Sequence, residues 1–321
     1  MNKIEGISAS ETCSGVHVIE MTKKRQHSRW HDVARLRLLV IVGVLTIVVA
    51  ACTSPNDGST VSAASAPTPS TSTNDVSVIV LVHGFDPTGQ GYSCDHYWGD
   101  AERAFRRWDP SVEVVTVGSV RGDHDCDMTI GRGGPNTPIE TIGRELATAV
   151  YQTYSSQGIP VALVGHSMGG LVVRSAVASA GSTGGPPFLL VPHAVTIESP
   201  HGGTDALVRC GLVECDEMGF GSAFLRHLEP DPQGSGGTVW TLFGSAGDRL
   251  VTIASALGMR ATHRVAYERP LYGHNPIVHD GSDAADARWR EITGDSRFLH
   301  NHEPRSLHAI FLAATTGSPE S

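Results

Sequence analysis

Lysine is missing from most of this chain: Lys3, Lys23 and Lys24 are its only lysines, and arginine supplies every other fixed side-chain cation. Residues 1–51 hold seven of the 24 Lys+Arg and four of the 33 Asp+Glu. From Cys52 onward, 17 basic residues therefore face 29 acidic ones, a formal charge of −12. A body of that sign offers no electrostatic surface to nucleic acid or to anionic lipid headgroups, and neither is expected as a partner. Long apolar runs are also lacking. The longest, LLVIVGVLTIVVA (38–50), falls short of the ~20 residues that a membrane-spanning helix needs. There is no Cys-x-x-Cys spacing, phosphate-binding loop, dinucleotide fingerprint or paired-histidine metal helix, so no metal and no organic cofactor is expected. No internal repeat is visible, and nothing in the sequence sets an oligomeric state.

What is there begins with a basic stretch, MTKKRQHSRWHDVARLR (21–37), followed by the short apolar run. That order reads as an export signal; an uncleaved N-terminal anchor helix is the rival. Met21, just ahead of the basic stretch, is an alternative start. The run ends in VVAAC (48–52), which resembles the lipobox of bacterial lipoproteins. The resemblance implies removal of residues 1–51, lipidation of Cys52 and an extracytoplasmic protein held to a membrane by its lipid. Residues 52–75 are rich in Ser, Thr, Pro and Ala and read as a flexible tether, leaving 76–321 as one folded domain. Cys13 falls in the leader. Cys94, Cys126, Cys210 and Cys215 remain, an even number in an exported chain, where disulfides persist. Three pairings are open, and sequence proximity favours Cys94–Cys126 with Cys210–Cys215.

The folded part alternates two kinds of segment. VSVIVLVH (76–83), VEVVTVG (112–118), PVALVGHS (160–167), AVTIES (194–199), TVWTLFGS (238–245) and HRVAYE (263–268) are apolar, β-branched runs that read as strands, most of them buried on both faces. Helical spacing appears in 98–108, 138–158, 168–181, 283–292 and 306–314. Strands alternating with helices imply an α/β fold with a doubly wound, mostly parallel sheet.

Within that frame GHSMGG (165–170) sits between a buried strand and a helix rich in small residues. A serine on such a sharp turn stands at the C-terminal edge of the sheet with Oγ exposed, and side chains at Gly165 or Gly169 would collide with the flanking strand and helix. Here the chain resembles the α/β-hydrolase fold lipases and esterases, including bacterial triacylglycerol lipases. The resemblance extends to HGFD (83–86), ESPHGGTD (198–205) and EMGFGSAFLRHL (217–228), and covers roughly 76–315. It implies a nucleophile at Ser167, with an oxyanion hole made by the backbone N–H groups of Met168 and Phe85. The stretch between the fourth and fifth strands is long enough for a small cap over an acyl-binding cleft, its base pinned by Cys210 and Cys215.

The family's order is serine, acid, histidine. Asp248, just past the fifth strand in FGSAGDRLV, matches the acid position better than Asp231, Asp280 or Asp283, which follow less suitable elements. For the histidine, LYGHNPIVHDGSD (271–283) offers His274 and His279. His274 fits the family's pattern best; His279 and His308 stay open. The cluster Asp123, His124, Asp125 and Asp127 reads as a solvated loop tied down by Cys126. The whole is expected to be a membrane-tethered serine hydrolase of carboxylic esters acting on a small-molecule or lipid substrate. The alternatives are a thioesterase, acyltransferase or amidase using the same groups, or an inactive hydrolase fold that serves as a surface binding protein.

Overall fold

Five consecutive branched residues, Val78–Val82, form strand β1 and show why a continuous apolar run is needed here. Val78, Val80 and Val82 point into one core, while Ile79 and Leu81 point into a second on the opposite face. The computed structural model describes residues 76–320 apart from 132, 135, 208, 209, 269–271, 294 and 295. The expected signal peptide (1–51), the lipid site Cys52 and the tether (52–75) lie outside the described residues.

Eight further strands join β1: β2 (Glu113–Gly118), β3 (Met128–Thr129), β4 (Val161–His166), β5 (His193–Ile197), β6 (Val239–Ser245), β7 (His263–Tyr267), β8 (Ala287–Thr293) and β9 (Ser296–Glu303). Their order across the sheet is β3-β2-β1-β4-β5-β6-β7-β8-β9. All neighbours are parallel except β7–β8 and β8–β9. This is the expected doubly wound, mostly parallel sheet. The helices are α1 (Cys94–Trp108), α2 (Ile139–Thr153), α3 (Met168–Ser179), α4 (Val213–Met218), α5 (Ala223–His227), α6 (Ile253–Ala256) and α7 (Ser306–Thr316). α2 and α3 share the core that receives Val80, and α1 and α7 share the one that receives Leu81. No helix among the described residues is long and apolar enough to cross a membrane.

The winding reverses between β1 and β4, which are direct neighbours with Val82 paired to Gly165. Chain leaving these two strands diverges to opposite sides, which opens a crevice at their C-terminal ends. The segments HGF and GHSMG are thereby brought together although about eighty residues separate them.

One expected helix is a strand. Residues 287–293 form β8, antiparallel to β7, within the stretch 283–292 read as helical. Its burial explains the difference: Ala287 and Trp289 are buried while Arg288 between them is exposed, a period of two rather than 3.6. Trp289 stacks edge-on to Tyr267 of β7 with ring centroids 5.6 Å apart. The cap between β5 and β6 contains two short helices, α4 and α5.

Both disulfides follow sequence proximity. Cys94–Cys126 joins the first residue of α1 to the loop before β3, and Cys210–Cys215 closes a short loop at α4. Their sequence separations of 32 and 5 predict different contributions. Replacing the first pair by alanine is expected to lower the unfolding free energy by about 3–4 kcal/mol, and the second by about 2 kcal/mol, as read from urea midpoints. Equal losses from the two would count against a loop-entropy origin.

Candidate active site

β4 runs into α3 with no connecting residue other than Ser167, whose backbone (φ 56°, ψ −128°) lies in a region that side chains rarely occupy. Two contacts force the turn. A Cβ on Gly169 would stand 2.3 Å from the carbonyl oxygen of Val82, and one on Gly165 would stand 2.4 Å from that of Gly169. The Ser167 N–H donates to the Ile197 carbonyl at 2.8 Å, which ties the turn to the end of β5.

From this turn Ser167 Oγ–H donates to Nε2 of His274 at 2.9 Å. His274 Nδ1–H donates to Oδ2 of Asp248 at 2.7 Å. Asp248 follows β6, and its other oxygen, Oδ1, accepts the N–H groups of Leu250 (2.7 Å) and Val251 (3.1 Å). Burial raises its carboxyl, but the hydrogen bonds it accepts, led by that from His274, together hold it below the ordinary value. An ionised Asp248 fixes the proton of His274 on Nδ1 and leaves Nε2 free to accept the serine proton. The structure thus brings Ser167, His274 and Asp248 into one hydrogen-bonded chain. It does not bring the other two histidines. His279 donates from Nδ1 to Asp100 at 3.0 Å on the surface, and His308 stacks on Trp108 with ring centroids 4.5 Å apart.

The loop after β1 lies against the serine. A Cβ on Gly84 would come within 2.8 Å of the Ser167 Cβ, so any larger residue would crowd the nucleophile. Phe85 follows, with its carbonyl held by the Tyr92 hydroxyl at 3.0 Å. Met168 is the first residue of α3, where an amide has no intrahelical acceptor. Phe85 and Ser167 line one space, and Met168 opens the helix that begins beside it.

One supporting residue, Tyr97, carries no signature in the sequence. The Gly84 N–H donates to the Tyr97 hydroxyl (3.0 Å), which donates to Nδ1 of His166 (2.5 Å). His166 in turn donates from Nε2 to the His274 carbonyl (2.8 Å). His166 was visible as the residue before the serine; nothing in the sequence points to Tyr97, 69 residues away. His83 donates from Nε2 to Asp123 (2.8 Å), and Asp123 also accepts the amides of Tyr92, Ser119 and Val120. The Asp123 side chain is fully buried, so this part of the acidic cluster is an internal brace for the loop after β1 rather than a solvated loop.

A cavity of about 230 Å³ opens beside Ser167. Phe85, Pro200, Leu207, Met218, Leu250 and Val251 give it an apolar lining, and Leu207 and Met218 come from the cap. Elsewhere, Glu291, His300 and Glu320 bring possible metal-ligating atoms within 4.8 Å of one another; none of the three lines this cavity.

His166 is fully buried, and burial lowers its pKa from 6.5 to about 3. A depressed folded-state value means that the unfolded chain binds a proton between pH 6.5 and about 3 while the folded chain does not. The stability His166 contributes is therefore complete above pH 6.5 and is lost as pH falls through that window. The slope is about 1.4 kcal/mol per pH unit. His166→Asn is expected to flatten the pH dependence of the urea midpoint by that slope; an unaltered slope would contradict the assignment.

Residues 72–211 match the family model described as "Putative serine esterase (DUF676)". A comparison with curated proteins finds no match. Several solved structures are similar. The Bacillus licheniformis lipase BlEst2 in its propeptide form is 18% identical with a TM-score of 0.44, over 63% of this chain and 47% of that one. Phospholipase PlaB from Legionella pneumophila, in complex with thio-NAD, is 15% identical with a TM-score of 0.38, over 56% and 43%. RedJ, a thioesterase from the prodiginine biosynthetic pathway in Streptomyces coelicolor, is 17% identical with a TM-score of 0.37, over 56% and 72%. The chain spans less than half the length of the first two. By its strand order and the turn at Ser167 the chain has the α/β-hydrolase fold, and its residues 72–211 match a serine esterase family.

Proposed function

We propose that this protein is a serine hydrolase that cleaves carboxylic esters of acyl chains through a covalent acyl-enzyme. The observation that carries the reading is Ser167 Oγ at 2.9 Å from His274 Nε2, on a strained turn beside an apolar cavity. His274 takes the serine proton as Oγ attacks the acyl carbonyl. The developing oxyanion is met by the amides of Met168 and Phe85, each such donor being worth about 10²–10³ in turnover. His274 then returns the proton to the departing alcohol, and afterwards activates the water that releases the acid. Asp248 holds the imidazole in register and stabilises its charged form.

The cavity argues for an acyl group as the recognised part. Its walls offer apolar contact, Leu250 is an exposed apolar residue on the turn that also supplies Val251, and the exposed Phe220 follows α4, which supplies Met218. In this reading a lipid anchor at Cys52 keeps such a site at a membrane surface despite the acidic body.

Fluorophosphonate is expected to label the wild type and not Ser167→Ala; absent labelling of the folded wild type, or equal labelling of both, would sink the reading. His274→Ala is expected to lower kcat by at least about 10³-fold, while His279→Ala retains most of it. Along a series of aryl esters from acetate upward, kcat/KM is expected to rise up to about fourfold per methylene, then level off once the cavity is filled. A maximum at acetate would exclude acyl-chain recognition. Cys52→Ser is expected to abolish palmitate incorporation.

A further inference from the structure

Beside the Ser167–His274–Asp248 chain lies a carboxyl group that this mechanism leaves idle. Glu198 follows β5, between the ends of β4 and β6, and its side chain is wholly buried. Its N–H donates to the Phe243 carbonyl at 2.9 Å, and its φ of 47° is in the left-handed region. Glycine would sit there without strain, so the fold tolerates a strained backbone to keep a long acidic side chain. Neither Oε1 nor Oε2 has a well-aligned hydrogen-bond donor; the Ser245 amide, close by, only partly offsets burial. A buried carboxylate with no donor and no cation is among the least favourable arrangements in a protein.

The side chain within hydrogen-bonding reach is that of Asp248. Asp248 already accepts from His274 Nδ1 and from the amides of Leu250 and Val251, so it is the ionised member. Two ionised carboxylates have no proton to share and repel, whereas one proton between them makes a charge-assisted hydrogen bond. We propose that Glu198 is a neutral carboxylic acid whose O–H donates to the Asp248 carboxylate, making the pair a proton-sharing support that positions His274.

The surroundings agree. Burial, then the charge of Asp248, then the bond between them push the Glu198 carboxyl up to about 11. His166, at the end of β4, and His201, farther along the loop after β5, are both kept neutral by burial and supply no counter-charge. Arg174 on α3 is committed to the carbonyls of Leu228 and Glu229. His274 reaches Glu198 through Asp248. With Glu198 neutral, the imidazolium formed during attack faces one negative charge, and Asp248 is held from both sides against rotation.

The proposal rests on the reading of Ser167, His274 and Asp248 as the reacting groups, so its test has one arm independent of turnover. Wild type, Glu198→Gln and Glu198→Ala are compared after each is checked for cooperative unfolding. Glutamine keeps a neutral donor and is expected to retain most of the turnover that alanine loses. Alanine is expected to lower kcat roughly 10- to 100-fold with KM little changed. The acid limb of kcat/KM is expected to coincide in wild type and Glu198→Gln, because neither adds charge beside Asp248. If Glu198 were ionised, glutamine would remove a charge and move that limb down by about one pH unit or more, overturning the proposal. Infrared spectra of the wild type are expected to show a protonated-carboxyl C=O band, sensitive to deuterium, that Glu198→Gln lacks. Absence of the band overturns the proposal even if no ester is turned over, whereas a band without turnover counts against the hydrolase reading alone. Should the alanine variant fail to fold, the glutamine limb and the infrared band decide.

Discussion

Only a hydrogen atom fits between the α-carbon of Gly169 and the carbonyl oxygens of Val82 and His83, which a Cβ would approach to 2.3 and 2.5 Å. That closeness lets α3 start immediately after β4 with its N-terminus packed over the end of β1. Ser167 is left on an exposed corner, the first amide of the helix stands behind it, and the loop after β1 lies directly beside it. Because β4, β6 and β7 are parallel, the loops carrying Ser167, Asp248 and His274 all leave the same edge of the sheet. A larger side chain at Gly169 would separate β1 from α3 and disperse all of these groups at once.

The loops above that edge are tied together by polar groups rather than by apolar packing. Gly84, Tyr97, His166 and the His274 carbonyl form one hydrogen-bonded chain linking the loops after β1, β4 and β7. A second set, His83 with Asp123, links the loop after β1 to the one after β2, and Cys94–Cys126 fastens that region to α1. Buried polar groups of this kind are stable only when each has its partner. His166 meets that condition through two partners, one at each ring nitrogen.

The central strands were legible in the sequence because burial on both faces demands an uninterrupted branched run, which β1, β4 and β5 display. The edge was not. β9 is exposed along most of its length and carries Arg297, His300, His302 and Glu303, so no apolar pattern marks it. β8 alternates, but its two buried residues are too few to distinguish a strand from a helix in a charged stretch. Within the site, Ser167 and the acid that follows β6 stand at recognisable places along the chain. His274 and His279 are five residues apart in the same loop, and which one faces the serine depends on how Pro276–Val278 turns. Glu198 lies inside a recognisable segment, yet its meaning arises only beside Asp248, fifty residues later and one strand over.

The turn that holds Asp248 also shapes the mouth of the cavity. The amides of Leu250 and Val251 grip the carboxylate, while the side chains of the same two residues line the wall. Specificity and acid placement therefore share a lever. A bulkier residue at 250 or 251, introduced to admit a different acyl group, would displace the backbone that orients Asp248. Variation in substrate preference is consequently easier to accumulate on the cap side, at Leu207 or Met218, where the wall can be remodelled without disturbing proton transfer.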